Sequence, residues 1–178
     1  ADGAATALLG GTGQIHRFAA GTTGLYNTVG SRAGIDLLTL FWADSWTSPS
    51  ADYDLYVTNS TGTSVVFSST NRQTSNNPVE FISGTLSAGQ RIYVVQFSGT
   101  ARMLHLNGND GNGFGGSFAF TTSGQTRGHS AARNAFSVAA AQATSGSLFS
   151  GPFPNAFTTT SPYEYFTSDG PRRVFYTA

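Results

Sequence analysis

Short runs of hydrophobic residues recur along the first two thirds of the chain, separated by turn-forming residues. The run "IDLLTLFWADSW" at 35–46 is almost wholly apolar and predicts a strand buried on both faces. In "DYDLYV" at 52–57, apolar residues alternate with two aspartates, as in a strand with one face toward a core. "NSTG" at 59–62 has the composition of a turn, and "TSVVFSS" follows it, so the stretch predicts a β-hairpin.

Further strand-like segments follow at intervals typical of all-β domains. They are "VEFI" at 79–82, "RIYVVQFSG" at 91–99, "ARMLHLN" at 101–107 and "SFAFTT" at 117–122. "SGTLSAGQ" at 83–90 predicts a turn, and the glycine cluster at 107–116 predicts a loop. Before residue 30, only a short strand at 15–18 is indicated. We therefore expect an antiparallel β-sandwich of jelly-roll type over residues 13–123.

The character of the chain changes after Ser123. The segment 130–143 is rich in Ala and would be helical by propensity alone. A loop punctuated by Pro follows and closes on a short strand at 173–176. Because residues 124–178 show no apolar pattern sufficient for a core, they are predicted to be a loop-rich C-terminal appendage. The fold class is mainly β.

Composition narrows the classes of function. Charged residues make up 10% of the chain and aromatic residues 13%, which suits short strands and turns. Nine basic and nine acidic residues balance, which argues against binding to nucleic acid. There is no Cys for a disulfide or thiolate metal site, and no apolar run long enough to span a membrane. The Ser/Thr/Gly-rich, Lys-free composition fits a secreted, extracellular protein, although no intact signal peptide is visible.

Catalytic side chains are scarce. "GTS" at 62–64 matches the triplet around the nucleophile of one class of serine proteases, but it sits in a predicted hairpin turn and lacks the following Pro. We interpret it as a turn. The three histidines, His16, His105 and His129, show no spacing that indicates a Ser-His-Asp triad. No catalytic residue is predicted in this chain.

Two groups of residues are candidates for binding. Asp52 and Asp54 fall on one face of a strand and would hold Ca²⁺ if a loop oxygen, for example from Asp110, joined them. The alternative is that these aspartates cap a neighbouring turn through backbone N–H groups. The aromatic residues would form a sugar-binding platform if exposed, or belong to the core if not; they are Trp42, Trp46, Tyr53 and Tyr56.

Two segments in the last third resemble subtilisin-like serine proteases. "GHSAARNAFSVAAA" at 128–141 is similar to the loop and core strand just past the oxyanion-hole segment of that family, and "FTSDGPRR" at 166–173 to a later turn. The resemblance implies that residues 135–140 form a strand despite their helical propensity. The sandwich resembles accessory jelly-roll domains of secreted bacterial proteases, in the motifs "DYDLYV", "VEFI" and "GQRIYVV".

The resemblance implies a function for the whole protein and not for a site in this chain. The family's Asp, His and Ser motifs and its oxyanion-hole "AGN" do not appear, so no catalytic residue carries over. We expect an internal fragment: a non-catalytic sandwich of a secreted bacterial subtilisin-like protease, with the remainder of that protease chain and protein substrates as partners. It would shape substrate access or stabilise an enzyme that hydrolyses peptide bonds. The alternatives are a free-standing carbohydrate- or surface-binding module and an extracellular structural or adhesion domain.

Overall fold

The protein folds into two antiparallel β-sheets with almost no helix. The structure is a computed structural model that describes residues 6–30, 35–72, 77–110 and 118–122, with the isolated positions 134, 136 and 138. The chain divides after Thr121 into two compact units, and the fold described below is that of the first. Apart from those isolated positions, the predicted appendage at 124–178, with its helix or strand, lies outside the described residues.

Eight short strands are found in the part of the chain that the structure describes. They are β1 Gln14–Ile15, β2 Asn27–Thr28, β3 Ile35–Trp42, β4 Asp52–Thr58, β5 Val65–Ser69, β6 Val79–Leu86, β7 Arg91–Ser98 and β8 Leu104–Asp110. Single 3₁₀ turns at Ala7–Leu9 and Thr22–Leu25 flank β1. None of the described residues belongs to a helix that could cross a membrane.

The strands pair into a five-stranded and a three-stranded sheet. In the first sheet β5, β4 and β7 lie side by side, and β1 and β2 both pair with the other edge of β7. The second sheet has the order β6, β3, β8. The predicted β4–β5 hairpin is confirmed, and the other consecutive strands from β3 onward lie in opposite sheets. This alternation is typical of a jelly roll, so the mainly β, antiparallel sandwich class is confirmed.

An apolar core lies between the two sheets. Its most buried strand residues are Leu38, Leu40, Trp42, Tyr53, Leu55, Val57, Ile82, Leu86, Ile92 and Val94. They come from both sheets and recur mostly at every second position, because side chains alternate between the faces of a strand. Truncating one of the completely buried leucines to Ala would cost roughly 2–5 kcal/mol of folding free energy.

The outer face of the five-stranded sheet is covered as well. Leu9 and Ile15 of the N-terminal segment pack with Tyr56 and Val95 in a second apolar cluster. All seven residues of β4 are buried as a result. The sequence alternation correctly separates the core-facing residues of β4 from its aspartates, but the face that carries the aspartates is not solvated.

Several boundaries differ from the sequence prediction. β3 ends at Trp42, and its outer face is partly open, since Leu37 is 37% exposed; the expected burial on both faces was wrong. β6 continues through 83–86, where a turn was predicted, because Leu86 is anchored in the core. Residues 107–110 extend β8 instead of starting the glycine loop. In place of a strand at 117–122, Phe118 makes an isolated bridge with Val29.

Candidate functional site

The Gly-Thr-Ser triplet at 62–64 is part of the turn between β4 and β5. Asn59 organises this turn: its backbone N–H donates to the carbonyl of Ser64 at 2.9 Å, and its side-chain oxygen accepts the backbone N–H of Thr63 at 2.9 Å. Gly62 has a φ of 75°, a conformation that favours glycine. The triplet is therefore a structural turn, as the sequence predicts.

The two described histidines are associated with different sheets. His16 follows β1 beside the five-stranded sheet, and its ring meets Phe18 edge-on at 4.8 Å between centroids. Burial lowers the pKa of His16. His105 is on β8, on the outer side of the three-stranded sheet opposite Phe41. His129 lies outside the described residues.

Asp52 and Asp54 are buried on the covered face of β4. Tyr56 donates a hydrogen bond from its hydroxyl to Asp54 Oδ2 at 3.3 Å. Burial raises the pKa of Asp54 to about 6, with further contributions from the negative charges of Asp52 and Glu80. Burial and the neighbouring Asp54 likewise raise the pKa of Tyr56 to about 12. Asp54 is therefore uncharged at mildly acidic pH and ionises close to neutrality.

The calcium-binding arrangement considered from the sequence is not assembled. Asp52 begins β4 shortly after β3 ends at Trp42, whereas Asp110 pairs with Ile35 at the opposite end of β3, in the other sheet. A strand of that length spans roughly 25 Å, far more than a shared ion allows. Within the described ranges no group of three or more His, Cys, Asp or Glu side chains is placed to hold a metal ion.

Glu80 is a further buried acid, and it belongs to the interior of the sandwich. Its side chain is 1% exposed. One carboxylate oxygen accepts a hydrogen bond from the hydroxyl of Ser69, and the other accepts the backbone N–H of Asn71 at 3.1 Å. Glu80 thereby connects β6 to β5 and to the loop that follows it. Its role is to hold the two sheets together at this edge.

Turn capping of the kind proposed for Asp52 and Asp54 is performed by Asp44. One oxygen of this buried carboxylate accepts the backbone N–H of Ser45 at 2.8 Å. The other accepts the backbone N–H groups of Ser50 at 2.8 Å and Ala51 at 2.9 Å. Burial alone would raise the pKa of Asp44, but these hydrogen bonds outweigh it and lower the pKa below its usual value. The β3–β4 connection is thus closed around one ionised side chain.

Arg102 joins the neighbouring β7–β8 connection to this loop. Its backbone N–H donates to the hydroxyl oxygen of Tyr53 at 2.7 Å, and its guanidinium donates to the Ser50 hydroxyl at 2.5 Å. Arg102 Nε also lies 3.4 Å from Asp44 Oδ2. We refer to residues 43–51 and 99–103 as the paired loops. Their polar contacts hold them in a defined conformation at one end of the sandwich.

Of the four candidate platform aromatics, only Trp46 is open to solvent. Its side chain, in the paired loops, is 57% exposed, whereas Trp42 is 4%, Tyr53 2% and Tyr56 7% exposed. Trp42 and Tyr53 pack together in the core with ring centroids 5.3 Å apart. Tyr56 is covered by the N-terminal segment. Of the two alternatives, a sugar platform built from these four residues is therefore not formed: Trp42 and Tyr53 point into the core between the sheets, and Tyr56 is buried on the opposite face of β4.

Trp46, in the paired loops, is therefore the exposed member of the four candidate aromatics. Sequence reasoning noted Trp46 but missed Asp44 and Arg102. Comparison with protein-family models, curated proteins and solved structures finds no match, so the resemblance to subtilisin-like proteases stays a prediction.

Proposed function

We propose that the protein is a non-catalytic β-sandwich portion of a secreted subtilisin-like serine protease. It acts through contacts, shaping the access of protein substrates or stabilising the enzyme. The remainder of the protease chain is its partner and would supply the Ser, His and Asp that cleave peptide bonds. No residue of this chain is assigned a catalytic role.

Two features support this proposal. The motifs that carry the resemblance in the first unit are "DYDLYV" on β4, "VEFI" on β6 and "GQRIYVV", which covers the two residues before β7 and the first five residues of that strand. These strands build an antiparallel sandwich with jelly-roll order, which is the architecture that the resemblance implies. An accessory domain needs a stable scaffold and a surface for its partner, and needs no reactive group.

The observation that carries the proposal is the construction of the paired loops. An exposed Trp on a mobile loop loses conformational entropy when it binds, which weakens the contact. Here the hydrogen bonds of Asp44 and Arg102 fix the backbone of the paired loops around Trp46. Little backbone entropy therefore remains to be lost when Trp46 contacts a partner. Large aromatic side chains in preorganised surroundings are the residues that most often dominate protein contacts. The paired loops are suited to lie against another protein surface.

The test is a Trp46→Ala variant of the natural protein. We expect cleavage of a folded protein substrate to fall severalfold, or heat inactivation to accelerate, while hydrolysis of a short peptide substrate is unchanged. Val66→Ala is the control, because Val66 is 44% exposed on β5 and outside the paired loops. Equal activity and heat resistance of the Trp46 variant and the control would contradict a contact role for the paired loops.

A further inference from the structure

The outer face of the three-stranded sheet is a second surface of interest, formed by residues outside the paired loops. Cross-strand pairing arranges the residues of this face in three rows, of which eight positions are considered. The rows are Val79–Phe41–His105, Phe81–Thr39–Asn107 and Ser83–Leu37. At the centre of the β6 edge, Phe81 is 59% exposed although it belongs to a regular strand.

None of these eight positions carries Asp, Glu, Lys or Arg. A charged ligand lying on this face would lose hydration without gaining an opposite charge from these residues, which is costly. The face instead combines an exposed ring at Phe81 with the hydroxyl of Thr39 and the amide of Asn107 in the same row. Apolar surface next to a few polar groups is the usual composition of a small-molecule site, and the absence of charge at these positions favours a neutral ligand.

The size of the face limits what it holds. Strands about 4.8 Å apart and same-face residues about 6.7 Å apart give the three rows an area of roughly 300 Å². A stable protein dimer needs roughly 800 Å² from each partner. A second copy of this chain would therefore bury too little on this face alone. A short length of a flat, extended, uncharged polymer fits it.

We infer that the outer face of β6–β3–β8 binds a neutral polysaccharide. The Phe81 ring stacks against the C–H face of one sugar, and the Asn107 side-chain amide binds hydroxyl groups of the same or the next sugar. The Thr39 hydroxyl donates to the backbone carbonyl of Asn107 at 3.5 Å and acts toward the sugar as an acceptor. His105 and Phe41 form the neighbouring row along the sheet. The inference rests on the sheet register and does not depend on the association with a protease.

The test is binding of the 178-residue chain to defined neutral polysaccharides: microcrystalline cellulose and chitin by depletion, and xylan, mixed-linkage β-glucan and galactomannan by affinity electrophoresis. We expect binding to at least one of them, weakened at least about tenfold in Phe81→Ala. Phe97→Ala is the matched control, because Phe97 is 41% exposed on the other sheet and its loss should leave binding within about twofold. Asn107→Ala should also weaken binding, through the hydrogen bonds alone.

Three results would overturn the inference. The first is no retention on any of the neutral polymers, and the second is equal binding by the Phe81 and Phe97 variants. The third is loss of binding in Trp46→Ala but not in Phe81→Ala, which would place the binding site on the paired loops. Sedimentation velocity adds a fourth: a dimer of the wild-type chain that Phe81→Ala abolishes would identify the face as a self-association surface. Circular dichroism and melting of each variant confirm that the fold is retained.

Discussion

Replacing Asp54 by Asn should stabilise the protein at neutral pH, although it removes a residue from the most buried strand. Asp54 is 8% exposed, and its carboxyl group is next to Asp52 on the covered face of β4. Burial, Asp52 and Glu80 disfavour its charged form, which is why its pKa rises to about 6. An Asn at this position keeps the shape of the side chain and still accepts the hydrogen bond from Tyr56, without the charge.

The sign of the effect follows from proton binding. Between an ordinary pKa of 3.8 and the folded value of about 6, the folded protein keeps the proton on Asp54 and the unfolded chain has lost it. Stability contributed by this group is therefore present at low pH and is lost as pH rises through about 6. The pKa difference corresponds to about 3 kcal/mol at neutral pH. We expect Asp54→Asn to recover about 2–3 kcal/mol near pH 8 and to change little near pH 4.

The assay is urea unfolding of the 178-residue chain at a series of pH values, with melting as a second readout. A gain of this size would raise the melting temperature by roughly 5–10 °C near pH 8. Asp44→Asn is the matched control: it is the same substitution, but we expect it to lower the free energy of unfolding. The pKa of Asp44 is lowered, so its carboxylate stabilises the fold above an ordinary carboxyl pKa, and losing it should cost about 2–4 kcal/mol at neutral pH.

The reasoning would be refuted if Asp54→Asn were less stable than the wild type near pH 8. That result would mean that the fold depends on the ionised carboxylate. It would also be refuted if the variant kept the wild-type fall in stability between pH 4 and pH 7, since another group would then be the source of that fall.

Three further predictions concern stability and packing. Glu80→Ala should cost about 2–4 kcal/mol in urea unfolding, because the buried hydroxyl of Ser69 and the partly buried N–H of Asn71 lose their acceptor; an effect below about 0.5 kcal/mol would contradict the assigned bonds. Gly13→Ala should cost more than Gly21→Ala, since both have a positive φ but only the Gly13 Cβ would collide with β7; equal melting temperatures would oppose this. Trp42→Ala should lower the free energy of unfolding by about 3–5 kcal/mol and Trp46→Ala by less than about 0.5 kcal/mol. Acrylamide should readily quench the fluorescence of Trp46 and not that of Trp42; equal quenching of the two would contradict their assigned burial.

Local patterns predicted the parts of the fold that depend on neighbouring residues. The β4–β5 hairpin and the alternation along β4 were foreseeable, because both follow from two-residue periodicity and from a turn of fitting composition. The cover over the aspartates was not foreseeable. Leu9 lies in a short segment rich in Gly, Ala and Thr, Ile15 begins the short strand predicted at 15–18, and only tertiary contacts show that the two residues bury Tyr56.

For the candidate sites, too, local sequence predicts some features and only the folded structure shows the others. The role of Asp44 was hidden because it falls within the apolar run at 35–46, and the turn signal of Ser, Pro and Ser at 48–50 lies only after the end of that run. The row of Phe81, Thr39 and Asn107 draws on three strands distant in sequence, so it requires the pairing register. The subtilisin-like resemblance of residues 124–178 lies outside the described residues and stays a prediction.

The central claim, that this chain is the non-catalytic portion of a subtilisin-like protease, is tested most directly on the natural protein. The measurement is its intact mass with N-terminal sequencing, together with labelling by a fluorophosphonate probe for active serine hydrolases. The account predicts a species much longer than 178 residues, or one bound to a companion chain, that labels at a Ser outside this sequence. A natural chain that runs from Ala1 to Ala178 with no partner polypeptide and no labelling would contradict it.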